Sequence, residues 1–507
     1  MEINKGRIAK NTLYLYSRFF LVIIVNLYSA RIVLEELGAT DFGLYNVVYS
    51  VVGCLAFLSA TLSSSTSRFI TYELGRGSFE RLKLTYSTTW VSHTILSLIV
   101  VLFAETVGLW YVCKVMIIPH EYFDIVQILY QVSILSTVLS IMQIPFTSCV
   151  IAHESMSAYA YIGVFEAILK LASAIFLIYS CGYNKLLLYS LFLLLSSTVV
   201  FILYLIYSKF KFSEVSFSLK YDKSILVEIL KFSGWNILAN LCNVIAINGL
   251  SLLYNLFFSP IVVAAQTIAG QVASGLSQLT YNVRSAVNPQ IIKLYANKSY
   301  RQSIDLTLSS AGFLLDISIL TCVPCIILAP MILDIWLIEV PEYAVLFTRI
   351  LLVNTIVDTF NASYYAPLLA SNKIAKNSII GFILTISQFG IIYLLFNIDY
   401  GPEWARYLFV LSSFVSGWIV KPYILYKDVN YPLDLLLKSL FMGCKKIIAV
   451  LFITILIYFI LPNDTTMHMV TTAISSTLIS AIVLYLTYPK SKREIVFNYL
   501  KNIRRKH

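Results

Sequence analysis

Fourteen largely apolar runs follow one another along this chain of 507 residues, and a bilayer constrains such runs more tightly than any other feature of the sequence. In hydrocarbon every backbone N–H and C=O has to be satisfied inside the protein, which a helix does by itself, and a crossing takes about 20 residues. The runs lie near 12–34, 42–62, 84–108, 122–151, 159–181 and 186–208, then near 232–258, 261–283, 304–330, 343–370, 378–396, 405–426, 447–461 and 470–488. They predict an all-α integral membrane protein of about 14 transmembrane helices. Composition agrees: the chain is 59% hydrophobic and 12% charged, with a mean hydropathy of +0.80, outside the range of soluble globular chains. The first run is long enough to span and no Ala-x-Ala site follows it, so it reads as a membrane helix that is retained.

Basic residues fall in alternate loops. One set holds Lys5, Arg7 and Lys10; Arg76, Arg81 and Lys83; Lys209 to Lys231; Arg284 to Arg301; Lys373 and Lys376; Lys427, Lys438, Lys445 and Lys446; and a tail ending Arg504, Arg505, Lys506. The other set offers Lys114 and Lys185. This asymmetry predicts a multi-pass protein of the cell membrane with both termini cytoplasmic. The net charge of +11 is then a topology signal, and nucleic acid is not an expected partner.

The two halves echo each other. IPHEYF (Ile118 to Phe123) precedes a span ending near Pro145 and Ala152, followed by AYIG; VPEYA (Val340 to Ala344) precedes one ending near Pro367 and Ala370, followed by SIIG, at an offset of about 220 residues. Six spans per copy give both copies one orientation, which implies two six-helix bundles related by a pseudo-twofold axis along the membrane normal. The expected division is 1–208 for the first bundle, a basic connector at 209–231, 232–426 for the second bundle, two additional helices in 427–488, and a basic tail at 489–507. Two like bundles around a midplane site are an architecture for alternating access.

Charges inside spans cost about 2.5 to 3.5 kcal/mol each on insertion scales, so those retained are candidate site groups. Lys170 lies mid-span with Glu166 one turn earlier on the same face, either a substrate-facing pair or a structural one. Arg18 lies about two turns inside the first span, facing a cavity or snorkelling to the headgroups. Polar stripes run along Asn236, Asn240 and Asn243, and along Thr267, Gln271, Ser274 and Gln278, suited to helix–helix hydrogen bonds or to sugar hydroxyls. Asp316, Arg349 and Asp358, with Asn354 and Asn361 flanking the last, complete the polar inventory of the second half.

Enzyme chemistry finds no foothold. The five histidines form no metal-ligand spacing, no phosphate-cradling glycine loop occurs, and no loop exceeds about two dozen residues, so neither catalytic groups nor a metal are expected. Cys322 and Cys325 read as packing residues inside a span.

LGATDFGLYNVV (Leu37 to Val48), SSSTSRFITYELGRG (Ser63 to Gly77) and IAHESMSAYAYIG (Ile151 to Gly163) resemble the bacterial polysaccharide exporter and O-antigen flippase family of the multidrug/oligosaccharidyl-lipid/polysaccharide transporter superfamily. The resemblance covers nearly the whole chain. It implies a flippase that moves a polyprenyl-pyrophosphate-linked oligosaccharide, as in lipopolysaccharide or capsule synthesis, from the cytoplasmic to the outer leaflet of the bacterial inner membrane. It also implies coupling to an ion gradient or the membrane potential, with the polysaccharide polymerase of the pathway as a candidate partner; a monomer is expected because one chain supplies both bundles. Arg18, Arg68, Lys170 and Arg284 are the expected pyrophosphate cations, with Glu166, Asn240, Gln271 and Gln278 around the substrate. No cofactor is expected beyond a coupling H+ or Na+, for which Glu166, Asp316 and Asp358 are the candidate carriers. Two other readings stay open: a cation-coupled exporter of drugs or metabolites, and a membrane glycosyltransferase or polymerase, which would need a long extramembrane loop to hold catalytic groups.

Overall fold

The computed structural model describes residues 5–180, 184–216, 220–227, 240–371, 373–460 and 465–487. Asn236 and the basic tail 489–507 lie outside these residues. No strand occurs among the described residues, and nine of the helices there are long and apolar enough to cross a membrane. The protein is an all-α, multi-pass membrane protein.

By packing, the chain divides into two compact units, residues 1–267 with 337–342, and residues 268–336 with 343–507. The boundary read from the sequence, at the connector 209–231, follows the repeat; the packing boundary instead falls inside one long helix.

The first unit begins with α1 (Lys5–Gly53), broken into two arms at Gly38, whose φ of 75° and ψ of 168° leave the helical region. A two-residue break at Cys54 and Leu55 leads to α2 (Ala56–Arg76), so the second predicted span runs through the end of α1 and the start of α2. Gly77 ends α2 in the left-handed conformation, its N–H closing on Glu73 and Leu74 carbonyls. There follow α3 (Phe79–Lys114), α4 (Phe123–Ala152), α5 (Met156–Tyr179), α6 (Lys185–Lys211) and α7 (Asn240–Phe257).

The hydroxyl run in α2 explains how that helix packs. Ser65 and Thr66 are fully buried and the Ser67 hydroxyl donates to Ser148 on α4 at 3.1 Å, so small side chains let the two helices approach while bonding across the gap. Ile70, Tyr86, Phe146, Cys149 and Val200 then fill the core between α2, α3, α4 and α6. At another end of the unit, Asn255 of α7 grips the Ile117 backbone twice, accepting from its N–H at 3.1 Å and donating to its carbonyl at 3.3 Å. The described part of the connector is docked: Phe212 and Val215 are buried, Glu214 meets His153 at 2.5 Å, and the Ser87 hydroxyl donates to the Lys220 carbonyl.

The helix in which the units divide is α8 (Pro260–Ala296). The second unit continues through α9 (Tyr300–Ile327), a short helix Ala329–Trp336, α10 (Ala344–Ala370), α11 (Ile374–Asn397), α12 (Glu403–Val429), α13 (Leu433–Ile460) and α14 (Thr465–Thr487). Its core draws Leu315, Cys322, Leu352 and Phe360 together with Leu436, Val450 and Leu484 of the last two helices. Gly443 has no room for a side chain, since a Cβ there would lie 2.7 Å from the Phe360 ring. Helices α13 and α14 are therefore built into this unit rather than laid upon it.

The structure corrects one placement. The apolar run starting at 447 leaves Lys438, Lys445 and Lys446 to a loop, but α13 begins at Leu433 and carries all three. Lys446 faces the core, 5% exposed.

Candidate functional site

The structure gathers the predicted groups into two clusters, one in each unit. In the first, Gly163 creates the site. A Cβ at this position would lie 2.2 Å from Arg18 Nε, so only glycine lets the α1 arginine cross α5 there. The guanidinium rests over the Tyr159 ring, 4.3 Å from its centroid, and Nε is buried with no acceptor among the described residues. One turn along α5, Lys170 Nζ donates to Glu166 Oε1 at 2.7 Å, both side chains partly exposed. Tyr204 of α6 lies within electrostatic reach of both Arg18 and Glu166. Glu166 and Lys170, both singled out by sequence, thus share one face of α5 with Arg18. Arg68 stands apart, exposed on α2.

The second cluster surrounds a cavity of about 370 Å³ between α8 and α10, lined among others by Ser274, Ser277, Gln278, Arg284, Asn354 and Asp358. Its size is that of a small ligand pocket, about 300 to 1,000 Å³. The stripe predicted along α8 is displaced by a fraction of a turn: Ser274 and Gln278 face the cavity, while Gln271 does not line it. Neither does Asn240, which belongs to α7 in the first unit, nor Asp316. Arg349 is exposed, with Nε donating to the Ile326 carbonyl at 3.2 Å.

Asn361 organises the charges behind this cavity. Its amide donates to Asp358 Oδ1 at 2.6 Å, its Oδ1 accepts from the Ser416 hydroxyl at 3.0 Å, and its backbone carbonyl accepts from Lys421 Nζ at 2.6 Å. Two sequence features make the grip possible. A π-turn at Val415–Val420 re-aims α12, and Gly417 within it would place a Cβ 2.7 Å from the Asn361 backbone nitrogen, so the helix approaches only because glycine is there. Asp358 lies within electrostatic reach of both Lys421 and Arg284, and Arg284 also stacks near Tyr281 at 5.5 Å.

Sequence reading missed Lys421 and Lys446, both buried. The available signal was a lysine inside an apolar run: Lys421 sits in the span read as 405–426, and Lys446 one residue before the run at 447. Asp316 is held by Lys446 at 2.7 and 2.9 Å, a closed pair in the core of the second unit. Among the described residues no cluster of three metal-ligating side chains occurs.

No family model matches the chain, and no curated protein matches it in sequence. Solved structures do. The chain is similar to the lipid II flippase MurJ in an inward closed conformation, with a TM-score of 0.66 at 16% identity, covering 94% of this chain and 99% of that one. It is similar to an inward-facing multidrug resistance MATE family transporter of the MOP superfamily, with a TM-score of 0.67 at 15% identity over 82% of this chain and 96% of that one. A MOP superfamily transporter from Pyrococcus furiosus, described as having a binding pocket of reversed polarity that suggests a different function, aligns with a TM-score of 0.59 at 15% identity over 85% and 96%. At these identities the likeness is one of fold.

Proposed function

We propose that the protein is a flippase that carries a polyprenyl-pyrophosphate-linked oligosaccharide, an O-antigen or capsule repeat unit, from the cytoplasmic to the outer leaflet of a bacterial inner membrane by alternating access. The observation that carries this reading is Arg18: a guanidinium inside the first unit, its Nε buried with no acceptor among the described residues, meeting α5 at Gly163 two helical turns before Lys170. A cation kept at such cost calls for an anion that arrives from outside the protein, and a lipid-linked pyrophosphate is one that a membrane transporter meets. Arg68 on the α2 surface is a first contact at the cytoplasmic mouth, with both termini on that side. The fold shared with a lipid II flippase supports the same class of substrate.

The protein works as a monomer, handing its product to the polymerase of the pathway. Coupling to H+ or Na+ falls to Glu166, which is partly exposed, or Asp358, which lines the second cavity, because Asp316 is sealed with Lys446 in the core. The competing reading, a cation-coupled exporter, draws on the fold shared with a MATE transporter and on Asp358 lining the second cavity. Arg284 and Lys421 beside that carboxylate weigh against a cationic substrate.

The test is translocation of a labelled undecaprenyl-pyrophosphate oligosaccharide by the purified chain in proteoliposomes, with Arg18→Ala and Lys170→Ala inserted to equal levels. Transport by the native chain that both variants lose supports the reading. No transport by the native chain shifts the weight to drug or metabolite export.

A further inference from the structure

We infer that the cavity of the second unit takes an acidic sugar of the transported glycan, a hydroxyl-rich group with a single negative charge such as a hexuronate. The inference rests on the flippase reading and names the part of the substrate that this cavity holds.

Charge sets the first condition. Arg284, Lys421 and Asp358 lie within electrostatic reach of one another, two cations against one carboxylate, so the cluster carries one net positive charge. Asp358 is fixed as the acceptor of the Asn361 amide and Lys421 as donor to the Asn361 carbonyl, which leaves Arg284, on the cavity wall, as the cation that a ligand meets. One negative charge compensates this cluster. A pyrophosphate, bearing two or more, would leave excess charge in a low-dielectric site.

Hydrogen-bond inventory sets the second. Asn354 Oδ1 is buried and meets no donor among the described residues. The hydroxyl hydrogens of Ser274 and Ser277 are spent on the carbonyls of Gln271 and Ser274, at 2.9 and 3.0 Å, so their oxygens present lone pairs. Gln278 gives an amide hydrogen to Asn282 at 3.2 Å. Gln278 keeps a second amide hydrogen and Asn354 carries its own, so apart from the guanidinium the wall offers unmet acceptors alongside amide donors, a mixture that hydroxyls, which both donate and accept, can match. Sugar hydroxyls are donors, whereas a phosphate diester or an ionised pyrophosphate offers acceptors only. Such a group would leave Asn354 Oδ1 and the serine lone pairs unmet even as Arg284 attracts it.

The experiment is saturation-transfer NMR on the purified chain in nanodiscs with three probes: trigalacturonate, neutral maltotriose and inorganic pyrophosphate. The expected result is binding of trigalacturonate at least tenfold tighter than maltotriose, with no displacement by equimolar pyrophosphate. Arg284→Gln is expected to abolish the tenfold preference, Arg284→Lys to restore most of it, and Asn354→Leu to weaken both sugars alike. Equal binding of the two sugars, displacement by pyrophosphate, an unchanged preference in Arg284→Gln, or no binding of any probe overturns the inference. Failure here is separable from failure of the flippase reading. Translocation of a uronate-containing lipid-linked glycan that Arg284→Gln leaves intact keeps the flippase and removes the acidic-sugar site, while absent translocation with intact uronate preference does the reverse.

Discussion

Lys446 Nζ donates to both carboxylate oxygens of Asp316, at 2.7 and 2.9 Å, and the two side chains are 6% and 7% exposed. Helix α9 is thereby tied to α13. The pair satisfies two charges that neither helix could bury alone, and one turn away on the same face of α13 Gly443 closes on Phe360.

Removing one partner strands the other charge in the core. Asp316→Ala or Lys446→Ala is expected to cost about 3 to 5 kcal/mol, whereas the double change Asp316→Leu with Lys446→Met recovers most of that loss. Thermal unfolding of the detergent-solubilised protein reads both. A double variant no better than the sum of the singles would show that the two groups do not stabilise each other.

Glycines divide into those that make room and those that do not. A Cβ on Gly43 would fall 1.9 Å from the Pro260 carbonyl oxygen, a backbone atom that cannot swing aside, while one on Gly270 meets nothing within 4 Å. Gly43→Ala is therefore expected to destabilise the first unit by about 1 to 3 kcal/mol or more. Gly270→Ala, in the middle of α8, is expected to stabilise by up to about 1 kcal/mol through helix propensity. Unfolding midpoints that move in the same direction for both would contradict this.

Those two glycines look alike in sequence, and the contrast marks what can be read from a chain of this kind. Hydropathy places the helices because lipid forces the pattern: each of the runs falls on a helix wherever residues are described, even where the run crosses the break at Cys54 and Leu55. Rarity does the same for polar groups inside spans, so Arg18, Glu166 and Lys170 emerge together, as do Gln278, Arg284 and Asp358. Helix ends are less legible, since a helix leaving the bilayer continues in polar sequence; Lys446 was hidden in that way. Asn361 looks like any polar residue on a helix face, and its three-way grip follows from a π-turn and Gly417 on a helix more than fifty residues away, which no local pattern announces.

Asp222 gives the connector a pH dependence. Its Oδ1 accepts from the Ser224 hydroxyl and N–H at 2.7 Å each, and its own N–H donates to Thr88 at 3.0 Å. The Ser224 hydroxyl, then the backbone, hold its carboxyl below the usual range. A carboxylate lowered in the folded state stabilises above its unfolded value of about 4 and loses that contribution as pH falls through the folded value. Amide exchange at Ser224 and Ile225 is expected to accelerate, relative to its intrinsic rate, as the pH drops below about 4, and to lose this pH dependence in Asp222→Asn. Protection that is the same in both proteins across that interval would count against the turn.

The Lys170–Glu166 pair separates stability from function. Both groups are partly exposed, and such a pair contributes about 0.3 to 0.5 kcal/mol in a helix. Lys170→Ala is expected to leave the unfolding midpoint within about 2 °C of native and to reduce translocation at least tenfold. A loss of thermal stability that accounts for the lost transport would make the pair structural.

Gly163 and Arg18 should act as one unit. Alanine at 163 would put a Cβ 2.2 Å from Arg18 Nε, and the arginine side chain, unlike a backbone atom, yields by rotating off the Tyr159 ring. Gly163→Ala is thus expected to fold and to lower translocation nearly as far as Arg18→Ala does. The double variant is expected to match Arg18→Ala alone, because the alanine has nothing left to displace. Losses that multiply in the double variant would mean that Gly163 serves the helix crossing independently of the guanidinium. Losses that do not would locate the effect of both substitutions at a single point, the position of Arg18 over Tyr159.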